Sequence, residues 1–577
     1  MKRLALLIVA GLVACGTDEG DPLDTPRDGG PDVTRDAGQL PPPRPDPAPY
    51  YTPDRLLEVD IRLAPEDWDA LRMQTREIVS LLAGDCQAEP FPSPYTYFTG
   101  TVTVDGETVE NVGVRKKGFI GSLSELRPSL KVKMDEYVIG QHLGGLIRMT
   151  FNNARQDPAI IRQCIAYATF ARVGVPAPRC NFAHVTVNGE DLGVYAHVEP
   201  VKKPYLREHF SDDEGLLYEG TLSDFREGWT GTLEKKTNRM DPDDRARIAA
   251  VVEALEVPDD QLLAALAEVI DLDAYLVFWA TEVLIAHWDG YAGNTNNFYI
   301  YVEPGQERFT FMPWGVDGVL GQGGDPNLPA AVYANGLLAR RLYDHPEGRQ
   351  RYLDALRFVL AEAWPEDELL TGVTTTADII RPFVYAPQPF EDGVQAVRRF
   401  VEGRRAALDA EIMQGGLAWP LPLRDSFCFE EIGRVEATLT TTWGSHPAQN
   451  VFMTGTGVAS GEVNGNPIMP DNVGASAGFG QGPDDAGEAV FLGGLLFGGQ
   501  ALAVTYVVVD PDLVQPGATV VLDGVAARGA LLYTPQIGQQ LNLVGFFSGG
   551  TVTFDRGSTQ VDAPIELRLS TGIFAGL

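Results

Sequence analysis

Alternating apolar and polar positions dominate the front part of the chain and predict strands. LLEVDIRL (56–63) alternates with a period of two, which is typical of a strand with one buried face. PSLKVKMDEYV (128–138) alternates in the same way, so that its apolar residues share one face and Lys131 and Lys133 share the other. Both segments are predicted to be half-buried strands.

Turn signals and helical periodicity supply the other elements of the front half. Asp105-Gly106 and Asn188-Gly189 each lie between alternating runs, and an Asx-Gly pair suits the two-residue turn of a hairpin. The predicted elements are hairpins over 97–118 and 182–201 and helices over 64–84 and 158–176.

After residue 240 the apolar spacing becomes helical. The helices are predicted over 243–255, 271–288, 346–364 and 390–415. A strand-rich part followed by a helix-rich part is the order of a two-lobed α+β body.

From about Asp425 the composition changes, because glycine becomes abundant and lysine is absent. Short apolar runs recur between turn signals, which predicts an all-β accessory domain, a β-sandwich. The predicted organisation is a signal peptide (1–15), a tether (16–55), a strand-rich lobe (56–205), a helix-rich lobe (206–420) and a sandwich (425–577).

The N-terminus has the pattern of an export signal. Met1-Lys2-Arg3 is followed by an apolar run too short to span a bilayer, and the run ends L-V-A-C at Cys15. A cysteine at that place resembles a bacterial lipobox and predicts lipidation of Cys15, with ordinary secretion as the alternative. The Pro-, Asp- and Gly-rich stretch 16–50 predicts a disordered tether. The expected location is the cell envelope, with a lipid anchor and a periplasmic or surface-facing body.

Charge and cysteine content limit the function classes. A formal net charge of −34 argues against nucleic-acid binding and leaves room for a basic, serine-rich protein partner. Besides Cys15 there are four cysteines without a CxxC pair, so a zinc site is not expected. Of the pairings that they allow, Cys164–Cys180 is favoured. The sequence leaves the oligomeric state open.

The segment HWDGYAGNTNNFYIY (287–301) carries the main chemical signal. Asp289 and Asn294 lie five residues apart, between a helix and a strand that both look buried. Phosphoryl transfer uses this spacing: the acid accepts a hydroxyl proton and the amide oxygen helps to hold a metal ion. The alternative is an Asx-turn, in which the side chains bond their own backbone.

Two further segments fit the same chemistry. Asp317 follows a predicted strand, in the position of a kinase metal ligand that would complete a magnesium site with Asn294. Lys131 or Lys133 could contact nucleotide phosphates. A solvated face is the alternative for the lysines, and a simple turn for Asp317.

These segments together resemble the CotH family of atypical kinases, named after spore coat protein H, over roughly residues 56–415. The matching stretches are VGVRKKG (112–118), PSLKVKMD (128–135), FNNARQDPAIIRQCIAYATFARVGVPAPR (151–179), VTVNGEDLGVYAHVEPV (185–201), HWDGYAGNTNNFYIY (287–301) and FMPWGVDGVLG (311–321).

The resemblance implies a two-lobed kinase-like fold that uses ATP and Mg²⁺ or Mn²⁺ to phosphorylate serine or threonine in a protein. Its implied base is Asp289, and its implied metal site consists of Asn294, Asn297 and Asp317. Further matches are Lys131, Lys133, Arg115, Lys117 and Glu199 for the nucleotide side, and Asn153, Asp157 and Arg162 in the N-N-x-x-x-D segment with its following helix.

One departure from the family pattern bears on activity. Where the family commonly reads P-W-D-x-D, this chain has Gly315 after Trp314, and Asp317 remains. If the missing acid were the metal ligand, Asp317 would have to replace it, which an extended segment allows because residues two apart share a face. The rival hypotheses are a CotH-like adhesin or envelope-assembly protein without catalysis, and a kinase of small molecules or glycans.

Overall fold

The computed structural model describes residues 45–576 apart from 77, 238–244, 449, 481–486, 523 and 525. The chain is a mixed α/β protein that divides into two compact units. We call residues 45–74 and 87–423 the main body, and residues 75–86 and 424–576 the C-terminal body. The signal peptide, Cys15 and most of the tether lie outside the described residues.

The front of the main body is a closed barrel with strand order β1-β2-β3-β4-β5-β7-β6. Parallel pairing of β1 with β6 closes it, and the other neighbours are antiparallel. The two predicted hairpins are confirmed as β2–β3 and β6–β7, with Asp105 and Asn188 in left-handed backbone conformations at the turns. The strands are β1 (Leu56–Leu63), β2 (Phe98–Val104), β3 (Glu107–Lys117), β4 (Ser129–Lys133), β5 (Arg148–Asn152), β6 (Cys180–Val187) and β7 (Glu190–Val198).

Strand β4 is buried on both faces. Leu130, Val132 and Met134 belong to the hydrophobic core of the barrel. Lys131 and Lys133 point the other way, as the alternation requires, but they are only 8% and 6% exposed. The lysine face of β4 is therefore a covered surface of the barrel and not a solvated one.

The helix-rich part of the main body contains a four-stranded sheet of order β11-β10-β8-β9. Its strands are β8 (Leu216–Gly220), β9 (Glu234–Lys235), β10 (Phe298–Val302) and β11 (Thr310–Pro313). The helix Leu272–Leu284 packs against β11 and is almost fully buried, with Trp279 stacked on Tyr352 at 3.8 Å between ring centroids. Residues 285–297 therefore lie between two buried elements, this helix and β10.

The helices of the main body surround these sheets. They are Pro65–Met73, Arg162–Arg172, Lys203–His209, Ala246–Glu256, Asp259–Val269, Leu272–Leu284, Tyr291–Asn294, Leu337–Asp344, Pro346–Glu362, Glu366–Ile380 and Pro387–Ile412. No helix of the ranges described here is long and apolar enough to cross a membrane.

The C-terminal body is all-β apart from short helical segments. Its strands form one ten-stranded sheet of order β14-β13-β12-β21-β20-β19-β17-β16-β15, with β18 paired to β20. The sheet curls so that Trp443, just after β12, forms a bridge to Ala477 in β15. The strands are β12 (Phe429–Thr442), β13 (Gly455–Val463), β14 (Asn466–Ile468), β15 (Asn472–Phe479), β16 (Ala489–Phe497), β17 (Ala501–Val509), β18 (Thr519–Val521), β19 (Ala527–Thr534), β20 (Asn542–Arg556) and β21 (Pro564–Gly576).

Two disulfides organise the bodies. Cys164–Cys180 ties the helix Arg162–Arg172 to the start of β6, as predicted. Cys86–Cys428 joins the segment 75–86 to the strand-rich part of the C-terminal body. The prediction of one continuous helix over 64–84 is wrong. The structure has two separate helices there: Pro65–Met73 in the main body and Ile78–Leu81 in the C-terminal body.

Candidate functional site

The loop that carries Asp289 is built from strained and buried backbone. It leaves the helix Leu272–Leu284, forms the short helix Tyr291–Asn294 and enters β10 at Phe298. Thr295 and Asn297 both have φ of 51°, in the left-handed region that non-glycine residues rarely occupy. Strain of this kind persists only where the surroundings hold it, and it is concentrated at functional sites.

Three amides of the same loop surround the Asp289 carboxylate. Asn294 Nδ2 donates to Oδ1 at 2.6 Å, and Asn296 Nδ2 donates to the same oxygen at 3.3 Å. Asn297 Nδ2 donates to Oδ2 at 2.8 Å and to the Asp289 main-chain oxygen at 3.2 Å. In each of these bonds the asparagine side chain acts as donor through its Nδ2.

The electrostatics place Asp317 near Asp289. Asp289 is 2% exposed, and burial raises its pKa well above the usual value. The Asp317 carboxylate raises that pKa further, whereas the three asparagine bonds lower it. Asp317 is itself buried. Two buried carboxylates that repel each other are a pair that a divalent cation would stabilise.

Asn297 also links this loop to the segment of Asp317. The Trp314 main-chain N–H donates to the Asn297 carbonyl oxygen at 3.1 Å. Gly315 follows with φ of 51°, a conformation that costs glycine nothing. Among the described residues no group of three or more His, Cys, Asp and Glu side chains could hold a metal ion. The metal-ligand roles of Asn294, Asn297 and Asp317 therefore stay a prediction.

The Glu282 side chain holds the loop that carries Asp289 in position. The sequence analysis did not identify this residue. Its carboxylate accepts hydrogen bonds from the main-chain N–H groups of Tyr291 (2.8 Å) and Ala292 (3.1 Å). Gly290 leaves room for it, because a Cβ there would lie 2.1 Å from Glu282 Oε1. The sequence feature that could have identified Glu282 is an acidic residue near the C-terminal end of the otherwise apolar helix Leu272–Leu284.

Burial disfavours the charged forms of both Glu282 and His287. Burial raises the pKa of Glu282 to about 8, and burial lowers the pKa of His287 to about 3. Their closest N–O distance is 3.7 Å, so the contact adds little to the backbone bonds.

The raised pKa of Glu282 predicts a pH-dependent stability. Glu282 binds its proton more tightly in the folded state than in the unfolded state, where its pKa is near 4.5. The stabilisation of the folded state by this proton is therefore complete below pH 4.5 and is lost as the pH rises towards 8. Glu282→Gln imitates the protonated acid. Its free energy of unfolding relative to that of the wild type should therefore increase as the pH rises from 5 to 8. Denaturant unfolding of the main body at both pH values measures this. The surface variant Glu362→Gln is the control, and a difference independent of pH would contradict the assignment.

A second buried acid, Asp224, fixes the same short helix. It accepts hydrogen bonds from Tyr291 Oη at 2.9 Å and from the Leu337 N–H at 3.0 Å. Nearby, the Leu222 N–H donates to Asn296 Oδ1 at 3.1 Å. The loop after β8 thus holds Tyr291 and Asn296 in place, and sequence reasoning identified neither Asp224 nor Asn296.

The outer face of β3, β4 and β5 is basic and covered. Arg115 in β3 pairs in register with Lys131 in β4, and Lys131 pairs with Thr150 in β5. Arg115 lies over the ring of Tyr97 at 5.3 Å. Lys133 forms an ion pair with Glu136 at 2.9 Å.

Lys131 lies near three other cations and near Glu219, which pairs with one of them, Lys236, at 2.6 Å. Burial lowers its pKa well below the usual value, and Lys202, Lys236 and Arg148 lower it further, while Glu219 opposes them. An anion such as a polyphosphate would relieve this repulsion. The residues present therefore fit a nucleotide phosphate chain.

The other predicted residues have structural partners. Glu199 forms an ion pair with Arg179, whose guanidinium covers the ring of Tyr51. Asn153 Nδ2 donates to the carbonyl oxygens of Ser122 (2.9 Å) and Arg127 (2.7 Å). These contacts support the barrel loops, and the structure does not bring Glu199 together with Asp289.

Asp157 and Arg162 form a buried ion pair at the start of the helix Arg162–Arg172. The Asp157 carboxylate also accepts from the N–H groups of Ala159 (3.0 Å) and Arg162 (2.9 Å). The N-N-x-x-x-D segment therefore builds the entry of this helix.

Comparison with known proteins identifies the family. The model of the CotH family, described as "CotH kinase protein", matches residues 114–407, just over half of the 577 residues, and the chain therefore belongs to the CotH kinase family.

Individual relatives are more distant. Inner spore coat protein H of Bacillus subtilis is 25% identical over 257 residues, which cover 41% of this chain and 70% of that protein. Invasin CotH7 of Rhizopus delemar is 22% identical over 266 residues, 42% of this chain and 44% of that protein. The crystal structure of the Helicobacter pylori proinflammatory kinase CtkA aligns with 57% of this chain and 95% of its own at 9% identity, and its TM-score of 0.27 is too low to establish a common fold.

Proposed function

We propose that this protein is an ATP-dependent kinase that transfers the γ-phosphoryl group to serine or threonine hydroxyls of an extracytoplasmic protein. The observation that supports this most is the pair of buried carboxylates, Asp289 and Asp317, close enough to raise the pKa of Asp289. The buried lysines of β3 and β4 provide the opposite charge that a nucleotide requires.

In this proposal Asp289 accepts the proton of the attacking hydroxyl, since its carboxylate is held rigidly by three amides. Asp317 and the amide oxygens of Asn294 and Asn297 would hold Mg²⁺ or Mn²⁺, which supplies charge neutralisation at the phosphates. Glu282 and Asp224 keep the loop in position through their hydrogen bonds to Tyr291.

The proposal extends to architecture and location. The barrel and the helix-rich part would form the two lobes around the nucleotide, and the curled sheet of the C-terminal body would serve as the sandwich-type accessory module. Relatives named as a spore coat protein and an invasin fit a location in the cell envelope, with lipid anchoring through Cys15.

Transfer from γ-labelled ATP tests the proposal. The full-length mature chain is incubated with Mg²⁺ or Mn²⁺ and a basic serine-rich peptide, and labelled phosphoserine is expected in the peptide or in the protein itself. Chelation of the metal should abolish the label. Absence of label under conditions where nucleotide binds would contradict the proposal.

A non-catalytic adhesin or assembly protein is the second candidate, and two observations favour it. Gly315 replaces the first acid of the family pattern, and the Asp289 carboxylate is engaged by amides of its own loop. This candidate predicts neither phosphate transfer nor metal-dependent nucleotide binding.

A further inference from the structure

The loop between β4 and β5, residues 134–147, is folded back on itself. At its base the Met134 N–H donates to the Ile147 carbonyl oxygen at 2.7 Å. Leu143 and Leu146 exchange two main-chain hydrogen bonds at 2.9 and 2.8 Å, and both of their side chains are buried in the core of the barrel. The base and the C-terminal half of this loop are therefore fixed in the fold.

The other half of the loop carries three consecutive apolar side chains, which we call the apolar tip: Tyr137, Val138 and Ile139. They are 40%, 41% and 100% exposed, respectively. Gly140 follows with φ of 80°, and a Cβ placed on it would meet no atom within 4 Å, so the tip borders open space. Single exposed apolar side chains are ordinary, but a contiguous exposed group of them marks an interaction surface.

The charge of this loop differs from that of the chain as a whole. The chain has a formal net charge of −34, whereas residues 137–147 contain no Asp, Glu, Lys or Arg. The acid that precedes the apolar tip, Glu136, forms an ion pair with Lys133 at 2.9 Å, and its side chain is only 2% exposed. The tip can therefore enter an apolar medium without the cost of desolvating an exposed ion.

The polypeptide enters the main body beside the same loop. A Cβ on Gly145 would lie 2.0 Å from the Pro45 carbonyl oxygen, and a Cβ on Gly144 would lie 2.4 Å from Tyr50 Oη. The absence of side chains on these glycines allows the backbone of the loop to approach the first described residues closely. Residues 45–50 and the loop that carries the apolar tip therefore lie side by side.

This place of entry determines what the apolar tip faces. Cys15, the predicted lipidation site, is connected to Pro45 by residues 16–44, which the sequence predicts to be a tether. A flexible chain of that length has an average end-to-end distance of about 30 Å. A lipid on Cys15 would therefore keep the side of the main body that carries Pro45, and with it the apolar tip, near the bilayer surface.

We propose that the apolar tip inserts into the interfacial layer of the bilayer that holds the lipid anchor, and so orients the main body on the membrane. This inference rests on the lipid anchoring that is part of the proposed function. An anchor alone limits the distance of the main body from the membrane but leaves its orientation open. The tip adds a second contact, which the tether favours by raising the effective concentration of lipid around it.

The charges around the loop indicate which lipids fit best. Tyr50 Oη donates to Glu107 Oε2 at 3.2 Å, and Gln141 Nε2 donates to the Glu110 carbonyl oxygen at 2.7 Å, so these two exposed acids of β3 lie at the same end of the barrel. Anionic lipid head groups would repel them. The expected partner is therefore a bilayer of zwitterionic phospholipid.

Photocrosslinking of the full chain to vesicles tests the proposal. A photoreactive benzoylphenylalanine replaces Ile139, and the protein is irradiated with vesicles of phosphatidylcholine and phosphatidylethanolamine. A phospholipid adduct at position 139 is expected in the mass spectrum. The same photoreactive residue at Gln306, in an exposed turn between β10 and β11, is the control and should give no phospholipid adduct.

Partition into the same vesicles measures the contribution of the apolar tip. The proteins are compared by flotation in the Cys15→Ser background, so that the lipid is absent and the N-terminal apolar run is the same in all of them. Val138→Ser/Ile139→Ser should lower the partition coefficient by about tenfold or more, because two apolar side chains no longer leave water. Met413→Ser, which removes an 82% exposed side chain elsewhere, is the matched control and should partition like its parent.

Lipid composition and folding are measured with the same proteins. Vesicles that contain anionic phosphatidylglycerol should bind the Cys15→Ser parent more weakly at low salt than zwitterionic vesicles do. All replaced side chains at the tip are exposed, so the melting temperature of Val138→Ser/Ile139→Ser should equal that of its parent. If this variant does not fold, Ile139→Ser alone takes its place and should show a smaller decrease in partition.

The outcomes separate this inference from the anchoring on which it rests. Incorporation of labelled palmitate that is lost in Cys15→Ser tests the anchor. If palmitate is incorporated but position 139 crosslinks to no lipid, or only to a second copy of the chain, this inference alone is overturned. Equal partition of Val138→Ser/Ile139→Ser and its parent would overturn it as well. If palmitate is not incorporated but position 139 still crosslinks to phospholipid, the anchoring fails and insertion of the tip is supported.

Discussion

Replacement of Asp289 by asparagine is expected to lower phosphoryl transfer by about 10²- to 10⁴-fold, the usual contribution of a positioned general base. The physical reason is that an amide cannot take the hydroxyl proton. The measurement is the initial rate with labelled ATP, together with nucleotide binding, which should change little. Asp354→Asn, on an exposed helix face, is the matched control.

A second variant at position 289 is needed because three asparagine side chains donate hydrogen bonds to the Asp289 carboxylate. Asn at 289 would turn its own NH₂ group towards a donor, because Oδ1 and Oδ2 both accept in the wild type. Asp289→Ser keeps an oxygen that can accept from these amides but cannot act as a carboxylate base, so it should fold better than Asp289→Asn and still be inactive. Transfer within tenfold of the wild type in either variant would show that Asp289 is not the base.

Replacement of Asp157 by alanine is expected to destabilise the main body by about 3–5 kcal/mol, the usual cost of leaving one partner of a buried ion pair uncompensated. Asp157 and Arg162 are both almost inaccessible to solvent, and the carboxylate also accepts two main-chain N–H groups at the helix entry. Denaturant or thermal unfolding of the main body measures the loss.

The control for this effect is Asp354→Ala. It removes an exposed ion pair with Arg357, which should cost less than about 1 kcal/mol. Equal effects of the two substitutions would show that the Asp157–Arg162 pair is not the structural element that starts this helix.

The alternation of apolar and polar residues and the turn residues correctly predicted the elements that depend on neighbouring residues in the sequence. The alternation in 128–138 correctly separated Leu130 and Val132 from the lysines, and the Asx-Gly pairs correctly located two hairpins. Burial of Lys131 could not be predicted, because it depends on what covers the outer face of the barrel. The same applies to the parallel pairing of β1 with β6, which joins strands more than a hundred residues apart.

At the candidate functional site, too, contacts between residues far apart in the sequence could not be predicted. Asp289 and Asn294 were identified from their spacing, but the position of Asn296 also depends on a bond from the N–H of Leu222, a residue far away in the chain. Glu282 and Asp224 act by bonding backbone N–H groups, and no side-chain motif records such contacts. Residues 75–86 belong to the C-terminal body, where Cys86 pairs with Cys428, and local sequence does not reveal this pairing.

The central claim is that Asp317, together with amide oxygens of the Asp289 loop, binds a divalent cation beside a nucleotide despite the glycine at position 315. The most direct measurement is calorimetric titration of the protein with a non-hydrolysable ATP analogue, with and without Mn²⁺, for the wild type and Asp317→Asn. We expect binding that needs the metal and is lost in Asp317→Asn, while the melting temperature of the unliganded variant stays close to that of the wild type. Binding that is absent in the wild type, or that is the same with and without Mn²⁺, would contradict the claim.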